Sequence, residues 1–112
     1  MPLINIKTSV SDIEEPDALL KQLSRELSVL TGKPETYVMT LLETGVPMTF
    51  SGTSDPCCYI EIKSIGAINS LKMSDIFCKL ISSKTGVAPD RIYIGFEDVA
   101  PELWGWNGRT FG

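Results

Sequence analysis

The sequence predicts two β-α-β units that share one four-stranded sheet and place both helices on the same face. Three observations carry this reading. The stretches TGKPETYVMTLLE from Thr31 and TGVAPDRIYIGFED from Thr85 match: each opens on Thr-Gly, continues through a proline and an acid, and closes a β-branched, aromatic run with acidic residues. Their offset of roughly 54 residues is too long for a solenoid period and only two copies deep, so it marks a pseudo-twofold domain. An apolar stripe at helical spacing precedes each Thr-Gly pair. Right-handed crossovers between parallel strands then bring both helices to one side.

The elements follow in order. Leu3 to Thr8 alternates as a strand. Leu20, Leu23, Leu27 and Leu30 recur at helical spacing, and Gly32 stands in the stop position. Asp12 or a neighbour caps this helix; Pro16 lies in the first turn, where its missing N–H costs little, with Glu14, Glu15 and Asp17 complementing the helix dipole. Tyr37 to Glu43 is the second strand and Cys57 to Ser64 the third. Met73, Ile76, Phe77, Leu80 and Ile81 form the stripe of a second helix ending at Gly86, and Ile92 to Glu97 closes the sheet.

Alternation assigns Ile4, Ile6, Val38, Ile60, Ile62, Ile92 and Ile94 to the helix side. The opposite face should be polar, yet it receives Leu3, Met39, Leu41, Tyr59 and Tyr93. A second apolar face on so small a domain predicts burial against other subunits.

The chain has 112 residues, 43% hydrophobic and 21% charged, with a net charge of -4, as expected of one ordinary globular domain. Its ten Lys and Arg are scattered, which argues against nucleic acid as a partner. No apolar run approaches the roughly 20 residues of a membrane span, and the N-terminus lacks the features of a signal peptide, so a cytoplasmic location and no membrane association are expected. Cys57, Cys58 and Cys78 are odd in number, with two adjacent, which suits neither a disulfide framework nor a metal site; reduced thiols are expected.

There is no histidine, so the usual general base, the usual zinc ligand and every Ser-His or Cys-His pair are absent. A free α-amino group, with an unperturbed pKa of about 7.7 to 8.0, is the one group nearly poised for acid-base work at neutral pH. The opening MPLINIKT therefore draws attention to Pro2. If Met1 is removed, Pro2 carries a free secondary amine; if Met1 stays, the same nitrogen is a tertiary amide without a proton to exchange. A proline at this place ordinarily just begins an edge strand.

Seven segments in order resemble the macrophage migration inhibitory factor and D-dopachrome tautomerase family: MP at the start, PDALL from Pro16, TGKP from Thr31, MTFSGTSDPC from Met48, SIG from Ser64, PDRIYI from Pro89 and GWNGRTF from Gly105. The resemblance implies an α+β fold of two β-α-β units with a four-stranded mixed sheet, assembled as a homotrimer with active sites at the subunit interfaces. It implies a cofactor-free keto-enol tautomerase of phenylpyruvate-like α-keto acids and D-dopachrome, with Pro2 as general base. By the same resemblance Lys33 holds the substrate carboxylate and the Ile65 N–H supplies a second donor. Tyr93, from the adjacent subunit, and Trp106 wall the ring of an aryl substrate. For Lys33 the bland alternative is a solvated lysine after a helix C-cap; for the two aromatics it is packing.

Some positions depart from the family pattern. A pocket asparagine falls at Gly95, and a small aliphatic residue falls at Trp104, which narrows or reshapes the mouth; both point to altered substrate preference. Only the first cysteine of the family's Cys-x-x-Cys motif is matched, at Cys57, with Ile60 in the second place, so no thiol oxidoreductase activity is expected. The alternative function is a non-enzymatic trimeric binding or signalling protein with a vestigial pocket. Against it, the family's receptor-facing arginine falls at Asp12 and the paired aspartate near Gly45.

Overall fold

Alternation in LINIKT decides the first strand. In the computed structural model, which describes residues 1–112, Ile4, Ile6 and Thr8 are buried on one side of β1 (Leu3–Thr8), while Leu3, Asn5 and Lys7 face the other. Helix α1 (Pro16–Thr31) leads to β2 (Met39–Glu43), and β3 (Cys58–Ser64) leads through α2 (Ser70–Thr85) to β4 (Ile92–Asp98). The strand order is β2-β1-β3-β4. β1 runs parallel to β2 and β3 parallel to β4, while β1 and β3 are antiparallel, which makes the sheet mixed and the two β-α-β units its halves. A short hairpin, β5 (Gly105–Trp106) and β6 (Arg109–Thr110), ends the chain. No helix is long and apolar enough to cross a membrane.

The internal repeat is realised at atomic detail where the helices stop. Gly32 and Gly86 take the left-handed conformation, φ 68° and 76°, that glycine adopts without a Cβ penalty. In the first copy Thr31 Oγ1 donates to Leu27 O at 2.7 Å and Ser28 Oγ to Lys33 O at 2.6 Å. In the second, Thr85 Oγ1 donates to Ile81 O at 2.7 Å and Ser82 Oγ to Val87 O at 2.6 Å. Equivalent hydroxyls thus fold each chain back toward its next strand. Val87, just beyond the second stop, is buried in the core, whereas its counterpart Lys33 is half-buried and charged.

The core lies between the helices and the inner face of the sheet. Leu23 and Leu27 of α1, and Met73, Phe77 and Ile81 of α2, pack on Ile4, Ile6, Ile60 and Ile62, all without solvent exposure. Each such side chain contributes about 1.5–3 kcal/mol of transfer free energy.

Several boundaries differ from the sequence reading. β2 begins at Met39, because Glu35–Tyr37 closes into a 3-10 turn, with Tyr37 N donating to Pro34 O and Val38 N to Glu35 O. β3 begins one residue later, at Cys58, and β4 runs one further, to Asp98. Asp12 does not cap α1: the N-cap is Glu15, itself left-handed at φ 48° and making no side-chain cap bond. With that start the helix turns Leu19 fully inward and leaves Leu20 half-buried. Asn69 caps α2, its Oδ1 accepting from Lys72 N at 3.3 Å.

The outer face carries the apolar residues that alternation placed there, but charged and polar side chains lie among them, so it is mixed where a second apolar face was expected. Met39 is 57% exposed and Tyr93 65%, and Leu41 and Tyr59 also lie open. Between them Lys63 bridges Glu61 at 3.6 Å and Glu97 at 4.0 Å. Asn5 Oδ1 is shielded on this face of the central strand without a hydrogen-bond partner.

Candidate functional site at the N-terminus

The end of β1 is held at the floor of a cleft. Met39 N donates to Pro2 O at 3.1 Å, extending the ladder between β1 and β2 and fixing the proline, which is fully buried. The cleft has a volume of about 240 Å³, and Tyr37, Met39, Trp104, Trp106 and Phe111 wall it above Pro2 and Met1. Its aromatic side is built from segments far apart in the chain. The Asn107-Gly108 turn, with both residues at positive φ, folds β5 against β6 and presents Trp106. Phe111 stacks on the Trp106 ring at 5.9 Å, and Tyr37 meets Trp106 edge-on at 5.7 Å and Phe111 at 6.3 Å. Edge and offset contacts of this kind add about 0.5–1.5 kcal/mol beyond burial.

Lys33 stands just beyond the first helix stop. It follows the left-handed Gly32, and its Nζ donates to Ile65 O at 2.9 Å. That bond uses one of three ammonium donors. In the structure Met1 is present and its α-amine has a pKa below the ordinary value, chiefly through burial and secondly through the positive charge of Lys33. Both causes disfavour the protonated form. The lysine field therefore acts on the chain terminus.

Of the residues named from sequence, Pro2, Trp104 and Trp106 share this cleft within one chain, and Lys33 with Ile65 borders it through the terminus and their mutual hydrogen bond. Ile65 meets Lys33 through its carbonyl, and no side-chain oxygen accepts from its N–H. Trp104 also walls an adjoining cleft with Lys63 and Glu97, so it partitions the two. Tyr93 is elsewhere, on the outer face of β4, in a separate cleft with Met48, Phe50 and Tyr59. Its ring meets Phe50 at 4.6 Å, and Arg91 lies over Phe50 while donating to the carbonyls of Asp55 and Pro56. Sequence reasoning did not place Tyr37, Met39 and Phe111 in the site: Met39 is read there only as an outer-face residue, and nothing local joins the aromatic residues of PETYV and GRTF.

The macrophage migration inhibitory factor (MIF) family matches residues 1–112. The chain belongs to this family. It is 38% identical over 114 residues to the macrophage migration inhibitory factor of Rattus norvegicus, covering 99% of each chain. Among solved structures, the MIF homologue of Prochlorococcus marinus superposes with a TM-score of 0.95 at 54% identity, covering 98% of this chain and 99% of that one. The Toxoplasma gondii factor superposes with a TM-score of 0.89 at 34% identity, covering 97% and 99%. The family lies within the tautomerase superfamily, and its fold is the paired β-α-β sandwich described above.

The cysteines of this MIF family member are all free. Cys57 and Cys58 are buried, and the Cys58 Sγ donates to Thr8 Oγ1 at 3.3 Å. Burial pushes the thiols of Cys58 and Cys78 above their ordinary pKa, so neither favours the reactive thiolate.

Proposed function

We propose that the protein is a cofactor-free keto-enol tautomerase of aryl α-keto acids such as phenylpyruvate, with D-dopachrome-like compounds as further substrates, and that Pro2 is its general base once Met1 is removed. The observation that carries this reading is a fully buried proline at the floor of an aromatic cleft, beside a lysine whose charge acts on the chain terminus. Burial disfavours an ammonium ion, and a neighbouring positive charge does so again, so the secondary amine of a processed chain is neutral near pH 7 and can accept a proton.

The steps balance without a redox partner. The Pro2 nitrogen takes a proton from the carbon beside the substrate carbonyl. The released C–H pair forms the C=C bond, the carbonyl pair moves to oxygen, and the prolinium returns its proton to that oxygen; the reverse direction ketonises the enol. Lys33 binds the carboxylate with the ammonium donors left over from its bond to Ile65, assisted by the Ile65 N–H. Trp104 and Trp106 flank the aryl ring and keep water away.

A homotrimer completes the site. A cleft of about 240 Å³ falls just below the roughly 300 Å³ at which ligand pockets begin. Tyr93, exposed on the outer sheet face, reaches the Pro2 cleft only from a neighbouring subunit. The exposed Met39, Leu41, Tyr59 and Tyr93, together with the shielded and unpartnered Asn5 Oδ1, support burial of that face.

Pro2→Gly tests the reading. With the fold retained by circular dichroism, kcat on phenylpyruvate should fall by about 10²- to 10⁴-fold, the usual contribution of a positioned base. Unchanged activity would remove Pro2 from the mechanism.

A further inference from the structure

The second cleft contains a polar group that the proposed mechanism does not use. Tyr59 pairs with Tyr93 in the register of β3 and β4, and both side chains line a space of about 420 Å³ on the outer face. Two residue pairs further along, on the same face, Glu61 stands opposite Gly95. A Cβ built on Gly95 would lie 3.2 Å from the Tyr59 hydroxyl oxygen and 3.8 Å from its ring. The phenol thus occupies the volume that any larger residue at 95 would claim. Its O–H donates to Glu61 Oε2 at 3.3 Å, and Glu61 is in turn held by Lys63. The Glu61 carboxylate fixes where the hydroxyl hydrogen points and leaves the oxygen lone pairs free to accept. In the single chain Tyr59 remains 37% exposed, so its own fold does not seal the hydroxyl off. Partial burial, then the Glu61 charge and hydrogen bond, raise the phenol pKa and keep it protonated at neutral pH.

We infer that Tyr59 is a specificity-determining residue of the tautomerase site: its hydroxyl, seated in the space Gly95 leaves and oriented by Glu61, accepts a hydrogen bond from a hydroxyl on the substrate ring. The inference rests on the proposed reading, in which Tyr93 closes a neighbouring subunit's Pro2 cleft; Tyr59, its cross-strand neighbour, is carried to the same boundary. Gly95 acts as a positioning residue by being small, and Glu61 as one by holding the hydroxyl. The ligand class is an aryl α-keto acid bearing a ring hydroxyl.

The experiment compares kcat/KM for 4-hydroxyphenylpyruvate and phenylpyruvate in wild type, Tyr59→Phe and Gly95→Val, with assembly of each checked by sedimentation. The ratio of hydroxylated to unsubstituted substrate should fall about 3- to 10-fold in Tyr59→Phe, the loss of one hydrogen bond. It should fall likewise in Gly95→Val, where the branched side chain displaces the hydroxyl. A merely structural role for Tyr59 would lower both substrates alike and leave the ratio constant. Wild type active on both substrates, with the ratio unchanged in either variant, overturns the role of Tyr59 alone. Wild type inactive on both overturns the Pro2 reading and this inference with it.

Discussion

Replacing Lys33 by methionine keeps the aliphatic stem and removes the charge, and its consequences can be worked from three contacts. The ammonium loses its bond to Ile65 O at 2.9 Å, leaving a half-buried carbonyl that water can still reach, so stability should drop by only about 0.5–1 kcal/mol. A substrate carboxylate loses a charge-assisted partner worth about 1.5–3 kcal/mol, or about 10- to 150-fold in kcat/KM. Because Lys33 is half-exposed and its field is screened, the lower end, about tenfold, is expected. The N-terminal amine also loses a repelling neighbour. In the chain that carries Met1, Lys33 adds to burial in lowering the α-amine pKa; the same charge would act on the Pro2 amine of the processed chain, so its removal should raise that amine's pKa and move the acid limb of the pH-rate profile to higher pH. The assay follows enol absorbance for phenylpyruvate and its methyl ester from pH 5 to 9. An equal loss on the ester would refute the anchoring role, and an acid limb that stays in place would refute the electrostatic account.

Two further outcomes are expected. Leu23→Ala opens a cavity at a residue with no exposure in the core, so urea unfolding should show a loss of about 2–5 kcal/mol; under 1 kcal/mol would contradict its packing between helix and sheet. The purified protein should not reduce insulin disulfides, because Ile60 replaces the second cysteine of the motif and burial raises the Cys58 and Cys78 thiols; rapid turbidity would overturn this.

The repeat and the faces of the sheet were legible because they rest on short-range rules. Period-two alternation sorted Ile4, Ile6, Ile60 and Ile62 from Leu3, Met39, Tyr59 and Tyr93, and every one of these lies on its expected side. Thr-Gly marked both helix ends because the hydroxyl back-bond and the left-handed glycine are local. The phase of α1 was less legible. Two adjacent leucines at 19 and 20 fit the stripe equally well, and the deciding fact is the left-handed Glu15 that sets where the helix begins. The start of β2 was not legible from alternation, because Tyr37 and Val38 donate to the Pro34 and Glu35 carbonyls in a 3-10 turn that a strand pattern does not reveal.

Of the candidate site, the motif resemblance supplied Pro2, Lys33, Ile65, Trp104, Trp106 and Tyr93. The structure brings the first five to one end of the sheet. The walls contributed by Tyr37, Met39 and Phe111 depend on the C-terminal hairpin folding back over the start of β2, a long-range packing event with no sequence period. The Tyr59 and Gly95 pair was hidden for a related reason, since the meaning of a missing side chain emerges only once the neighbouring strand is in register.

The central claim is that the nitrogen of Pro2 does the chemistry, and removal of a single residue tests it. The measurement is the ketonisation rate of enol-phenylpyruvate by protein whose N-terminus is confirmed by mass spectrometry as Pro2, beside the form that retains Met1. Turnover by the processed form alone, with the Met1 form at the uncatalysed rate because its proline nitrogen is an amide, is the expected result. Equal rates in the two forms, whether fast or negligible, would contradict it.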